Sequence, residues 1–222
     1  MRHFYAKLMT GVFPRRTRRP SHGQKTTREW TEEEAQNHNT LTKRGWSLIR
    51  NQILLNTPEP PSRLDETSKV TLYEALQAFE EALKINPEAW SSMWAIGKIH
   101  QRLQQTEKAL FWFSQAHSIN PDNPDVAREA GLEALDLGKS EEAIYFCQSA
   151  VRLSPDDPGL VANLAWAYLI AGKIKKAQQT IAQSLKSASN DEISQCAARI
   201  IDEVANGSRP IPKTLLEISG HD

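Results

Sequence analysis

Cysteine is scarce in this chain: two residues, Cys147 and Cys196, among 222. That is too few for a disulfide framework or a thiolate zinc site, and it is the usage of a protein kept in a reducing compartment such as the cytoplasm. Long apolar runs are missing too, so no stretch of about 18 residues could cross a bilayer. No glycine-rich phosphate loop and no serine elbow occur, and neither cysteine has a base placed to activate it. The six histidines (His3, His22, His38, His100, His117, His221) include no pair spaced to face one metal from a helical turn, so no metal or cofactor site is indicated. Net charge is also lacking, with 27 basic against 27 acidic groups. What remains, 39% hydrophobic and 24% charged, is the composition of a folded, soluble chain with polar segments.

The zero total hides an asymmetry. Residues 1 to 30 hold eight basic groups (Arg2, Lys7, Arg15, Arg16, Arg18, Arg19, Lys25, Arg28) against the single acid Glu29, a balance of +7, so the remainder carries −7. Met1, Phe4, Tyr5, Leu8, Met9, Val12 and Phe13 recur at steps of three and four, which puts one apolar face on a short helix opposite Arg2, His3 and Lys7. Alone in water so short a helix is marginal. The cluster Arg15, Arg16, Arg18 and Arg19 follows. Three uses of this basic arm stay open: an organellar presequence, which would place a eukaryotic protein in mitochondrion or plastid; an arm that docks on a partner or a membrane surface; and a solvated tail. The acidic remainder argues against nucleic acid as the main partner.

Repetition decides the fold. Pro87, Pro121 and Pro155 lie 34 residues apart, as do Ala75, Ala109, Ala143 and Ala177; Ala82, Ala116 and Ala150; Gly97 and Gly131; and Gly138 and Gly172. Within each period the apolar residues follow helical spacing, as in Leu72, Ala75, Leu76, Phe79, Ala82 and Leu83. Glycine marks the turn between two helices, and an Asn-Pro or Ser-Pro pair stops the second, because proline lacks an N–H and restrains its predecessor. Small alanines recur where antiparallel helices approach closely.

This pattern resembles the tetratricopeptide repeat family, a 34-residue helical hairpin. The unit at 90 to 123 reads Met93, Ile96, Gly97, His100, Ala109, Phe113, Ala116, Pro121; the next reads Ala127, Ala130, Gly131, Ala134, Ala143, Cys147, Ala150, Pro155. A fourth unit keeps Leu164, Ala165, Tyr168 and Ala177 but carries Ser184 and Ser189 where alanine and proline are usual. In the first, Ala75, Phe79, Ala82 and Pro87 give the second helix, and Trp46, Ile49, Arg50 and Ile53 are assigned to the first, leaving about 13 inserted residues near 57 to 68, around Pro58, Pro60 and Pro61. Thr31 to Glu34 resembles a capping box opening a short helix before Trp46.

The expected architecture is therefore an all-α, right-handed solenoid of about four such hairpins over residues 41 to 191. A basic arm precedes it at 1 to 40. A capping helix at 192 to 206 carries Ile193, Cys196, Ala197, Ile200, Ile201 and Val204, and a weakly docked or disordered tail spans 207 to 222.

The resemblance implies a non-catalytic module that binds a peptide or helix of a protein partner, as adaptor, assembly factor or chaperone, in a groove lined by the first helix of each hairpin. Carried over position by position, that lining is Trp94, Lys98, Gln101 and Arg102; then Arg128, Leu132 and Leu135; then Asn163, Trp166 and Leu169. Trp166 and Leu169 would alternatively pack against the cap. The family's two-carboxylate clamp for chaperone C-termini is not expected, since Asp125 and Glu129 stand where it needs positive groups and only Asn51 fits. Phe111 and Tyr145, beside Trp112 and Phe146, occupy outer positions that are usually polar, which leaves two readings, a second interface or partial burial under the basic arm. The rival use is therefore a structural subunit of a larger complex, held by the arm and this aromatic face.

Overall fold

The computed structural model describes residues 30–50, 52, 64–187 and 189–219. The amphipathic arm, with Arg15, Arg16, Arg18 and Arg19, lies outside these residues, as do Asn51, Ile53 and the proline cluster of the insertion. Among the described residues there are ten helices and no strand. In order they are α1 (Glu32–Ile49), α2 (Glu66–Ile85), α3 (Trp90–Arg102), α4 (Thr106–Ile119), α5 (Pro124–Asp136), α6 (Ser140–Leu153), α7 (Pro158–Ile170), α8 (Ile174–Ser187), α9 (Glu192–Ala205) and α10 (Leu215–Ser219). Successive helices pair into four hairpins, α1/α2 to α7/α8, each stacked on the next, and α9 covers both helices of the last. This is the all-α solenoid with a capping helix.

Each hairpin is punctuated by the same local chemistry. Asn123 and Asp157 accept from the backbone N–H groups two and three residues on, and Pro124 and Pro158 follow them as first helical residues, where a missing N–H costs nothing. Asp65 and Asp191 cap α2 and α9 in the same way. Gly138 and Gly172 end α5 and α7 with φ of +67° and +70°, and the N–H of the following lysine reaches back to Ala134 or Tyr168. One period earlier, Gln104 occupies that left-handed position at φ +58°, the only non-glycine residue to do so among the described residues.

Inside each hairpin the glycine of the first helix lies under a side chain of the second. A Cβ on Gly97 would sit 2.5 Å from the ring of Phe113, one on Gly131 2.8 Å from Cys147 Sγ, and one on Gly45 2.7 Å from Phe79. The last contact corrects the register of the first repeat. Gly45 precedes Phe79 by 34 positions, whereas Gly97 precedes Phe113 by 16, so the insertion is 18 residues rather than 13. Arg50 does not replace a small packing residue; it is the C-cap of α1. The capping box at Thr31 and Glu34 opens this same helix, which runs unbroken to Ile49, so α1 begins inside the segment expected to be arm.

The degenerate fourth unit also has a physical account. Ser184, at the alanine position, is buried with its hydroxyl 2.8 Å from that of Ser194 on α9. The departure from the repeat is thus a polar joint to the cap.

Candidate functional site

The first helices α1, α3, α5 and α7, followed by α9, form the inner face. Its two halves differ. Between α3 and α5 the contact is polar: Lys98 Nζ lies 3.1 Å from Glu129 Oε2, and Gln101 Nε2 donates to Glu129 Oε2 at 3.1 Å and to Glu133 Oε1 at 2.6 Å. Lys98 also donates to Gln101 Oε1. Arg128 joins through Glu129 Oε1 and Asp125 Oδ1, each at 3.0 Å.

The electrostatics of this cluster are set by burial. Burial alone would raise the Glu129 carboxyl, but Lys98 and Arg128, by charge and hydrogen bonds, hold it below its ordinary value. Glu133 lacks a cation of its own, and burial pushes it up to about 7. Asp136, one turn on, is pushed up to about 6 by burial. Burial also raises Asp125, against the opposing effect of Arg128. The inner face therefore holds more carboxylates than cations.

The expected lining residues divide accordingly. Gln101, Arg102, Arg128, Leu132 and Asn163 are half-buried and belong to this face. Trp94 is not a free anchor. It is 4% exposed, stacked on Trp46 at 6.1 Å between ring centroids, and Lys98 Nζ lies 5.9 Å from its ring centre. Its indole nitrogen has no hydrogen-bond partner among the described residues. Lys98 is buried in the ion pair, and Arg102 Nε donates to the Gln52 carbonyl at 3.1 Å.

Between α5 and α7 the face is apolar. Leu135 and Leu169 are fully buried and Trp166 nearly so; all three belong to the main core cluster, with Leu132 and Ile170 packed against it. Leu135, Trp166 and Leu169 are thus spent on packing.

On the outer face Phe111 and Tyr145 are 55% and 60% exposed, as expected, and each leans edge-on against its neighbour, Trp112 at 5.4 Å and Phe146 at 5.1 Å. Phe146 itself is core. Sequence reasoning missed Trp46, Glu133, Asp136 and the tail. Glu129 and Glu133, four apart on one face of α5, were visible as a pair, but nothing local showed that they would be buried.

Cys147 and His100 are both packing residues. Burial pushes the Cys147 thiol up to about 12, which keeps it protonated, and the His100 ring is bonded to Gln105 Oε1 at 2.9 Å.

Comparison with known proteins agrees with the fold. Residues 134–200 match the tetratricopeptide repeat family, and residues 63–140 match a family described as regulator of microtubule dynamics protein 1-3. No curated protein matches the chain by sequence. Among solved structures, YrrB, described as a tetratricopeptide protein with an unusual peptide-binding site, is 18% identical with a TM-score of 0.56, over 69% of this chain and 81% of its own. MamA from Desulfovibrio magneticus RS-1 is 12% identical with a TM-score of 0.60, over 85% and 95%. A tetratricopeptide repeat protein from Parabacteroides merdae is 14% identical with a TM-score of 0.62, over 77% and 61%. At these identities the likeness concerns the fold, and the 34-residue hairpins, the glycines under their rings and the match over residues 134–200 agree: the chain has the tetratricopeptide-repeat fold.

Proposed function

We propose that this protein is a non-catalytic interaction module that holds a peptide or helix of a protein partner against its inner face. The observation that carries the proposal is the strip of half-buried polar side chains along the first helices, Gln101, Asp125, Arg128, Asp136 and Asn163, which lie outside the apolar core. Its surplus of carboxylates suits a segment with basic residues among its apolar ones. The peptide-binding site named for YrrB supports this use of the fold. The match to regulators of microtubule dynamics makes microtubules the first partner to try, by co-sedimentation with polymerised tubulin. Cytoplasmic placement is part of the same proposal; no described helix is long and apolar enough to cross a membrane.

Trp94 is a poor probe, because its loss would disturb packing. Arg128→Ala with Asn163→Ala removes side chains from the strip and leaves the apolar core intact. Peptides retained from a random library by the full chain should be lost by this variant, with an unchanged helical circular-dichroism signal. Retention of the same peptides overturns the assignment.

A second reading, a subunit of a larger assembly, rests on the exposed Phe111 and Tyr145. Phe111→Ser with Tyr145→Ser would then release the chain from its complex without affecting peptide capture.

A further inference from the structure

The tail of the chain is not a loose end. After α9, Gly207 turns the backbone at φ +81°, the Arg209 N–H donates to the Glu203 carbonyl at 3.1 Å, and the Arg209 side chain pairs with Glu203 at 3.4 Å. The chain then runs back past the last repeat to α5. There the Lys213 carbonyl lies so close to Gly138 that a Cβ on the glycine would be 2.9 Å from it. Lys213 N–H donates to Glu217 at 2.8 Å and Glu217 N–H to the Thr214 hydroxyl at 3.4 Å, two bonds that close the start of α10.

This short helix packs on α5. Pro212 and Ile218 are buried; Ile218 belongs to the main apolar core, which also holds Leu135, Trp166 and Leu169, and Leu215 packs against that core. Pro212, Leu215 and Ile218 thus point inward at steps of three, while Leu216 is 58% exposed. Five residues cannot hold a helix by themselves in water, so the order of α10 comes from the surface that receives it. A contact resting on so few side chains opens at low cost compared with the repeats.

We infer that the apolar half of the inner face is a receptor for a short helical turn with apolar residues three apart, and that residues 208–219 of this chain are its resident occupant, which a partner segment of the same chemistry displaces. The inference deepens the proposed peptide-binding reading and rests on it. The structure thereby names the pattern of a competing ligand: a proline, then two apolar residues at the third and sixth positions after it, entering over the glycine turn that closes α5.

The test uses the full chain and a labelled synthetic peptide of residues 208–222. In the variant Leu215→Glu with Ile218→Glu the tail loses its apolar contacts and vacates the face. A tethered occupant acts at an effective concentration on the order of millimolar, so the peptide should bind the variant at least roughly tenfold more tightly than the unsubstituted chain. A peptide carrying the same two substitutions should bind neither. Failure of the folded variant to bind the peptide overturns the receptor, and equal binding to both chains overturns the resident occupant. Should the variant lose its helical signal, hydrogen exchange on the unsubstituted chain decides: excess peptide accelerates exchange of the amides of 215–218, and unchanged rates overturn the inference. Library peptides that bind without competing with the tail peptide would sink this inference and leave the proposed function standing. Tail-peptide binding with no library peptide retained would do the reverse.

Discussion

The two halves of the inner face are built on the same helix, α5, and solve opposite problems. Toward α3 it presents Glu129 and Glu133, and the gap is bridged by Lys98 and Gln101 through directed bonds of 2.6 to 3.1 Å. Toward α7 and the tail it presents Leu132 and Leu135, which need no particular partner geometry, only cover. A directed network tolerates one arrangement of neighbours. An apolar face accepts any segment of suitable shape, which is why the exchangeable contact lies on that side. The comparison predicts that the two halves fail differently.

The largest effect belongs to the polar half. In Lys98→Met, Glu129 keeps Arg128, which it shares with Asp125, and the Gln101 amide but loses its buried lysine, a change that costs up to about 3–5 kcal/mol. Replacing both partners, Lys98→Met with Glu129→Met, should recover most of that loss, because an apolar pair of similar volume removes two desolvation penalties together. Urea unfolding of the two variants measures this. A double variant as unstable as the single one would mean that the pair organises the α3 to α5 joint beyond its own energy.

The apolar half should lose somewhat less. Leu135→Ala opens a cavity in the fully buried core of α5, with an expected cost of about 2–5 kcal/mol, toward the lower figure if its neighbours settle into the space. Combined with Ile218→Ala the losses should fall short of additive, since the inference seats Ile218 on the apolar half of the inner face to which Leu135 belongs. Strict additivity would place Ile218 outside the contact that the inference requires. Chemical denaturation of the three variants gives the coupling directly.

How much of this was legible depends on how local the signal was. The 34-residue period carried the hairpins and the glycine turns, because each unit repeats its neighbour's packing, and the cap was legible from its own apolar stripe, Ile193 to Val204; even the fourth unit kept enough of the period. The first repeat was misregistered because its glycine, Gly45, lies behind an 18-residue insertion and the spacing of Trp46 and Ile49 fits the family almost as well five positions away. That shift also hid the fate of Trp94: Trp46 packs edge-on against Phe79 of its own hairpin and, on its other side, lies tilted against Trp94. A weakly docked tail was one of two expectations, but where it docks was illegible, since five helical residues generate no period and their order is borrowed from α5 and its neighbours. Burial of Glu133 was hidden for a similar reason. It depends on what another repeat brings alongside.

Glu133 supplies the smallest and most specific effect. Its carboxyl rises from an ordinary value of 4.5 to about 7 in the folded chain, so folding takes up a proton between those values. The corresponding stability is present below the unfolded value and is lost as pH rises through about 7; Asp136, raised to about 6, acts in the same direction. His38, His100 and His117 are pulled down by burial and act in the opposite direction, gaining stability as pH rises, so the slope of the unsubstituted protein alone is ambiguous. The difference between Glu133→Gln and the parent isolates the carboxyl. Glutamine keeps an oxygen for Gln101 Nε2 and never ionises, so the variant should match the parent near pH 4 and exceed it near pH 8 by about 1 kcal/mol, or roughly 2–4 °C in thermal midpoint. A pH-independent difference would show that Glu133 finds a cation in solution and that the polar half is more open to water than its burial implies.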